Sequence, residues 1–268
     1  MKNIRALFKL IAFLGNTLFF YSLIMLVLFF SFLGISYEWW RGYLLNVWGR
    51  NCCTILGVNL MVKGKAPEPP FFLVSNHLSY IDVFVLFSQV RGLFVAKSDV
   101  KRWPLIGFIT KTCGILFIDR SRKRDISRVN QLISKNINQN QGVIMFPESK
   151  TSPGVEILPF RSSLLEPPAA INLPVSYAII SYSTPKGEED ACKTICWWDD
   201  APFLVHFFNL LKKDRFSAAI TFGEETVAST DRKKLAMLLE KQIKSDFQPV
   251  IDPLKFAKTF GEKIPEKG

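Results

Sequence analysis

The run from Ile11 to Ile35 is apolar apart from a few small polar residues such as Asn16, Thr17 and Ser22, and it leaves this chain few ways to fold. As a helix rising about 1.5 Å per residue, a run of that length reaches across the roughly 30 Å of bilayer hydrocarbon. A cleaved export signal fits less well, because the run exceeds a typical signal h-region and no small-residue cleavage site ends it. Lys2, Arg5 and Lys9 precede it without an acid, which predicts a cytoplasmic amino end if the segment spans. A single full crossing then carries everything downstream to the opposite side. The next stretch offers a return: Trp40, Leu44, Val47, Trp48 and Ile55 recur at helical spacing, with Arg41, Asn46 and Arg50 between them, the pattern of an interfacial or re-entrant helix. The same residues also fit a simple single-pass anchor in which Trp40 and Trp48 are core or belt residues.

Beyond the anchor, short apolar runs alternate with helical periods. Strands are predicted at about 71–75, 93–96, 114–118, 143–146 and 173–180, and helices at about 80–90 and 124–138. That order specifies the α/β class, a mixed, largely parallel sheet flanked by helices, with an N-terminal membrane-anchoring helical segment. Between Asp125 and Asn138, the side chains of Ile126, Val129, Ile133 and Ile137 share one face and read as core. Leu235, Leu239 and Ile243 mark a closing amphipathic helix, and the aromatic segment from Trp197 to Leu211 reads as core. The expected division is 1–60 for the anchoring helices, 61–250 for the catalytic domain and 251–268 for a polar tail. A length of 268 residues with 49% hydrophobic side chains suits one sizeable core. Five cysteines, an odd number, do not make a disulfide framework and imply a reducing compartment. Cys192 and Cys196 share a helical face but lack further ligands nearby, so no metal site is expected.

The stretch Val74-Ser75-Asn76-His77-Leu78-Ser79-Tyr80-Ile81-Asp82 holds one of only two histidines in the chain. It follows an apolar strand and opens a helix. On one regular helix, residues five apart diverge by about 140°, so His77 and Asp82 can meet only if His77 lies just before the helix. A carboxylate on one imidazole nitrogen fixes the tautomer and leaves the other nitrogen to take a proton from a hydroxyl near neutral pH. The same residues admit a second reading, in which Ser79 and Asp82 form a capping box and His77 satisfies a backbone group. Ser75 and Ser79 lack the Gly-x-Ser-x-Gly elbow of a nucleophilic serine. His206, among apolar residues, reads as structural.

Asn76-His77, four residues and Asp82 resemble the first signature block of the glycerolipid acyltransferases, the 1-acylglycerol-3-phosphate acyltransferase family. Gly114-Ile115-Leu116-Phe117-Ile118-Asp119-Arg120, Phe146-Pro147-Glu148-Ser149-Lys150-Thr151-Ser152 and Leu173-Pro174-Val175 resemble the second, third and fourth blocks, in the family's order. Lys97-Ser98-Asp99 and Trp103-Pro104-Leu105-Ile106-Gly107 are also similar. The resemblance implies acyl transfer from acyl-CoA or acyl-ACP to the free hydroxyl of a lysophospholipid, 1-acylglycerol-3-phosphate before others, giving phosphatidic acid. His77 is the implied general base, oriented by Asp82. The implied substrate-binding residues are Asn76, Lys97, Arg120, Glu148, Lys150 and Pro174, with no metal and no cofactor.

Arg120 closes a strand-like run, where a guanidinium can hold a phosphate bidentately or pair with Asp119 or another carboxylate; Glu148 leaves its strand at the same sheet edge, where the resemblance implies that it positions the acceptor and a structural ion pair is the alternative. The third block departs from the family's common Phe-Pro-Glu-Gly-Thr-Arg-Ser, since Ser149, Lys150 and Thr151 replace Gly, Thr and Arg. The lost arginine removes one phosphate clamp, and Lys150 supplies only a point charge. A lyso-ornithine lipid is therefore an alternative acceptor. A net charge of +11 calls for an anionic partner. Nothing resembles a nucleic-acid-binding module, so the expected partners are the bilayer, the lysophospholipid and the acyl carrier, at the inner membrane with the catalytic domain on its cytoplasmic face. A non-enzymatic, membrane-anchored lipid-binding protein would be marked by a broken His–Asp pair, and here the pair is complete.

Overall fold

A computed structural model describes residues 2–98, 106–118, 131–133 and 135–261. The apolar run forms helix α1 (Lys2–Phe30), about 43 Å long at 1.5 Å per residue. After a single 3-10 turn at Ser31–Leu33, Gly34 reverses the chain at φ +86°, and Ser36 caps helix α2 (Tyr37–Leu56) by accepting from the Trp39 N–H. The two helices run antiparallel. Lys9 Nζ on α1 donates to the carbonyl of Leu56 at 2.8 Å, closing the exposed end of α2, and also to Lys213 O and Asp214 O. Trp48 Nε1 donates to Thr17 Oγ1 farther along the hairpin. Helix α2 thus brings the chain back beside the start of α1, with Trp48 packed on Phe84 at 5.3 Å between ring centroids.

Helix α2 is built into the domain that follows. Gly49 permits this: a Cβ there would lie 2.8 Å from Ser88 N and 2.9 Å from Phe84 O, so only glycine lets α2 approach helix α3 (Ile81–Phe87) this closely. Strand β1 (Val58–Lys63) follows directly and pairs with a strand late in the chain. The expected boundary at residue 60 therefore falls inside a strand, and the anchor and catalytic segments share one folded unit.

Among the described residues the sheet has seven strands in the order β1-β7-β6-β2-β5-β3-β4, with β2 (Phe72–Ser75), β3 (Gly92–Lys97), β4 (Leu116–Ile118), β5 (Gly142–Met145), β6 (Val175–Ser183) and β7 (Phe216–Phe222). Strands β6, β2, β5, β3 and β4 are parallel, while β7 runs against β6 and β1 runs with β7. This is the mixed, largely parallel sheet expected. β2 and β5 are buried at every position, as parallel strands covered on both faces must be. One core face joins α1, α2, α3 and a later helix to the sheet through Phe84, Phe87 and Phe207; the other packs Leu235, Leu239 and Ile243 against Val74 and Val143.

β1 and β7 were not among the expected strands. β1 is an edge strand with a mostly exposed face, so it lacks a pattern; β7 alternates buried and half-buried residues along its length, a period-two signal that does mark a strand. Further helices among the described residues are α4 (Ile106–Thr112), α5 (Glu166–Ala170), α6 (Ala191–Thr194), α7 (Phe203–Leu211), α8 (Arg232–Asp246) and α9 (Pro253–Phe260). α9 corrects the expected tail from 251: Asp252 caps it by accepting from Lys255 N, and Phe256 is buried against Trp198 with ring centroids 5.5 Å apart. The helix expected at 124–138 lies mostly outside the described residues; its residues 131–133, 135 and 136 are helical and Ile133 is buried.

Candidate active site

Because β2, β5, β3 and β4 are parallel, their C-terminal ends share one sheet edge, where open α/β sheets carry their sites. The chain leaves β2 at Asn76, and α3 starts only at Ile81, so His77 precedes the helix. Its Nδ1 lies 2.7 Å from Asp82 Oδ2. The same oxygen accepts from Leu78 N at 2.7 Å and Ser79 N at 3.0 Å, and Oδ1 accepts from the Tyr182 hydroxyl at 2.6 Å. The Asp82 carboxylate thus accepts from the backbone amides ahead of α3 and holds the imidazole at once. Ser79 does not complete a capping box, since its Oγ is buried without a partner among the described residues.

The imidazole is clamped on its face as well as its edge. Phe146 stacks on it at 3.9 Å between centroids and 5° between planes, and Phe94 stacks on Phe146 in turn. The His77 side chain is 20% exposed while that of Asp82 is fully buried. With Nδ1 committed to Asp82, Nε2 is the nitrogen left to receive a proton from a bound hydroxyl.

Asn76 holds this loop rather than facing a ligand. Its amide donates to Ile180 O at 2.8 Å and accepts from Ile180 N at 2.7 Å, so it extends the β2–β6 pairing by one side chain. Both ends are engaged and the residue is fully buried, which corrects its expected role as a substrate contact. Glu148 follows β5 and turns inward: Oε1 accepts from His77 N at 3.1 Å, and Oε2 is buried without a hydrogen bond among the described residues. Burial holds this carboxyl well above the usual carboxylate range, and the His77 and Leu158 backbone amides oppose that only in part. Ser152 N donates to His77 O at 3.0 Å, so the third block grips the His77 backbone from both sides. Glu148 therefore touches the histidine loop.

The remaining expected residues divide by sheet edge. Lys97 ends β3 level with Ile118 at the end of β4, on the same edge as His77. Lys150 is half-buried in the loop beyond Glu148. Arg120 lies outside the described residues. Pro174 is a correction: it precedes β6, whose Val175 pairs with Phe72 at the start of β2. That places it at the opposite sheet edge, at least about 13 Å from the end of β2 at roughly 3.3 Å per residue. Thr151, at the position of the family's arginine, donates its hydroxyl to Trp197 O. Tyr182 was missed because nothing in the order of residues ties it to Asp82; burial raises its phenol well above the usual range, and the Asp82 charge adds to this. His206 is structural as expected, with Nδ1 at 2.9 Å from the Tyr80 hydroxyl and Nε2 at 3.2 Å from Cys196 O.

A family model described as acyltransferase matches residues 58–179, a span that runs from β1 into β6 and contains His77, Asp82 and Glu148. The 1-acyl-sn-glycerol-3-phosphate acyltransferase of Neisseria meningitidis is 31% identical over 201 residues, covering 74% of this chain and 78% of that protein. The chain belongs to the glycerolipid acyltransferase family. Another relative, the lyso-ornithine lipid O-acyltransferase of Rhodobacter capsulatus, is 29% identical over 213 residues, or 77% of this chain and 76% of that one. The crystal structure of the 1-acyl-sn-glycerophosphate acyltransferase from Thermotoga maritima superposes with a TM-score of 0.60 at 20% identity, over 91% of this chain and 97% of that one. Membership makes this chain an acyltransferase acting on lysophospholipid-type acceptors.

Proposed function

We propose that this chain transfers an acyl group from acyl-CoA or acyl-ACP to the free hydroxyl of 1-acylglycerol-3-phosphate, giving phosphatidic acid, with His77 as general base. The observation that carries this reading is the 2.7 Å contact of His77 Nδ1 with a buried Asp82, on a ring whose face is clamped by Phe146. His77 Nε2 takes the hydroxyl proton as the acceptor oxygen attacks the thioester carbonyl. A C–O bond forms, the C–S bond breaks, and the proton passes from the imidazolium to the leaving sulfur, giving a free thiol. Asp82 stabilises the imidazolium formed in between. Glu148 positions the histidine loop, and Lys97, Lys150 and Arg120 supply positive charge for the acceptor's phosphate. No cofactor or acyl-enzyme enters this sequence.

A second acceptor, a lyso-ornithine lipid, is favoured by one observation. Thr151, where the common pattern has an arginine, spends its hydroxyl on the Trp197 carbonyl, so this position offers an anionic headgroup no cation. The membrane reading rests on α1, which is long and apolar enough to cross a bilayer with only 11% of its most apolar window buried. Because α2 returns beside Lys9, we place the catalytic site at the same face as the amino end, the cytoplasmic face of the inner membrane.

The test is thiol release by membranes carrying the protein, supplied with acyl-CoA or acyl-ACP and, separately, lysophosphatidic acid or lyso-ornithine lipid, with His77→Ala in parallel. Release with lysophosphatidic acid that vanishes in the variant is expected. Release with lyso-ornithine lipid alone selects the second acceptor, and full activity in His77→Ala overturns the base assignment.

A further inference from the structure

We propose that helix α7 (Phe203–Leu211) is a second membrane-contacting element, seated in the boundary between headgroups and acyl chains beside α1. This rests on the reading of α1 as membrane-embedded.

Helix α7 reads Phe203-Leu204-Val205-His206-Phe207-Phe208-Asn209-Leu210-Leu211, with no charged side chain. One face is core: His206, Phe207, Leu210 and Leu211 are buried. The opposite face is nevertheless mostly apolar, with Leu204 75%, Val205 54% and Phe208 37% exposed beside the exposed Asn209. A helix on the surface of a water-soluble domain turns polar residues outward. An apolar outer face over a finished core marks an interaction surface instead.

Its neighbour identifies the occupant. Phe13 of α1 packs edge-on against Phe207 at 5.1 Å, and the Arg5 guanidinium donates to the Lys212 carbonyl just beyond α7. On α1, Ile4, Leu7, Phe8, Ile11 and Leu14 are each more than half exposed. Two helices nearly two hundred residues apart in sequence therefore lie side by side and both leave apolar faces uncovered. The basic residues gather at the end where they meet, with Lys2 and Arg5 on α1 and Lys212, Lys213 and Arg215 after α7, outnumbering Asp214, which pairs with Arg5 at 3.5 Å, and Glu188, which pairs with Lys213 at 3.0 Å. Lys212 lies four residues beyond Phe208, on the same helical face, with Nζ 5.0 Å over the Phe208 ring and 2.9 Å from Asn209 Oδ1. A lysine stem laid along an apolar surface with its amine at the end is the arrangement by which such side chains reach lipid headgroups. An apolar face continuous with α1 and ended by cations fits one leaflet of a bilayer containing anionic lipid. Tyr80, in the loop that carries His77, contacts Phe203 and Phe207, so α7 sits between that surface and the reacting site.

The test uses the full chain in phosphatidylcholine–phosphatidylglycerol vesicles whose acyl chains carry bromine. The native cysteines are all buried, which allows single-site labelling with a bromine-quenched fluorophore at Leu204→Cys, at Leu14→Cys on α1, and at Met237→Cys. Met237 is 62% exposed on α8, which packs on the other face of the sheet. Quenching at 204 close to that at 14 and severalfold above that at 237 is expected. Quenching at 14 but none at 204 overturns the proposal while leaving the α1 anchor standing. If 204 is also shielded from a water-soluble thiol reagent in native membranes, a protein partner covers the face instead. No quenching at either 14 or 204 removes the membrane reading of α1 and this proposal with it.

Discussion

Removing Asp82 should break the fold as well as the chemistry, whereas removing His77 should break only the chemistry. In Asp82→Ala three buried donors lose their acceptor at once: the Leu78 and Ser79 backbone amides and the Tyr182 hydroxyl. Each unsatisfied buried donor costs about 1–3 kcal/mol, so the sum is roughly 3–9 kcal/mol against a total stability of about 5–15 kcal/mol. In His77→Ala those three bonds remain, and the loss is one partly exposed hydrogen bond and a ring stack worth about 1 kcal/mol. The gap between the variants is at least about 2 kcal/mol, which for a chain of this size is roughly 4–8 °C in Tm. Asp82→Asn falls between them, because its amide oxygen can keep the two backbone donors. The assay is thermal unfolding in mild detergent beside thiol release on the same preparations. Both alanine variants should be inactive, with Asp82→Ala melting well below His77→Ala. Melting within about 2 °C of one another would refute the view that Asp82 is a fold element.

Tyr182→Phe should lower stability by about 1.5–3 kcal/mol, the worth of one hydrogen bond to a charged group, yet keep turnover within about tenfold, since Asp82 retains its other three partners; a Tm unchanged from wild type would show that the phenol does not hold Asp82. Glu148→Gln should flatten the pH dependence of stability. The raised Glu148 carboxyl binds its proton more tightly folded than unfolded, so its contribution is complete below the ordinary carboxylate range and is lost as pH rises, by up to about 1.4 kcal/mol per pH unit within that window. Melting curves between pH 4 and pH 8 that stay parallel for the two proteins would contradict this. Gly49→Ala should destabilise by pushing α2 from α3, because its Cβ meets backbone atoms at 2.8 and 2.9 Å; an unchanged Tm would refute that close packing.

Local pattern carried much of this protein. The apolar length of α1, the period of α2 and α8, the strand–loop–helix around His77 and the meeting of His77 with Asp82 all follow from spacing over a few residues, which sequence displays directly. The third block could be seen to sit beside the site, but not that Glu148 would turn inward to the His77 amide. Long-range pairing decided the rest. Asn76 is spent on Ile180, more than a hundred residues away; Tyr182 reaches Asp82 across the same pair of strands; and the register of β6 against β2 moves Pro174 to the far edge. The reversal at β7, the return of α2 to Lys9 and the docking of α9 on Trp198 likewise depend on partners distant in the chain. Sequence alone indicated α1, the central strands and which residues can do acid–base chemistry, because those properties are local, but not β1, β7 or α9. Tertiary structure decided which polar groups hold the site and which face it, because burial and hydrogen-bond satisfaction are settled only when distant segments meet.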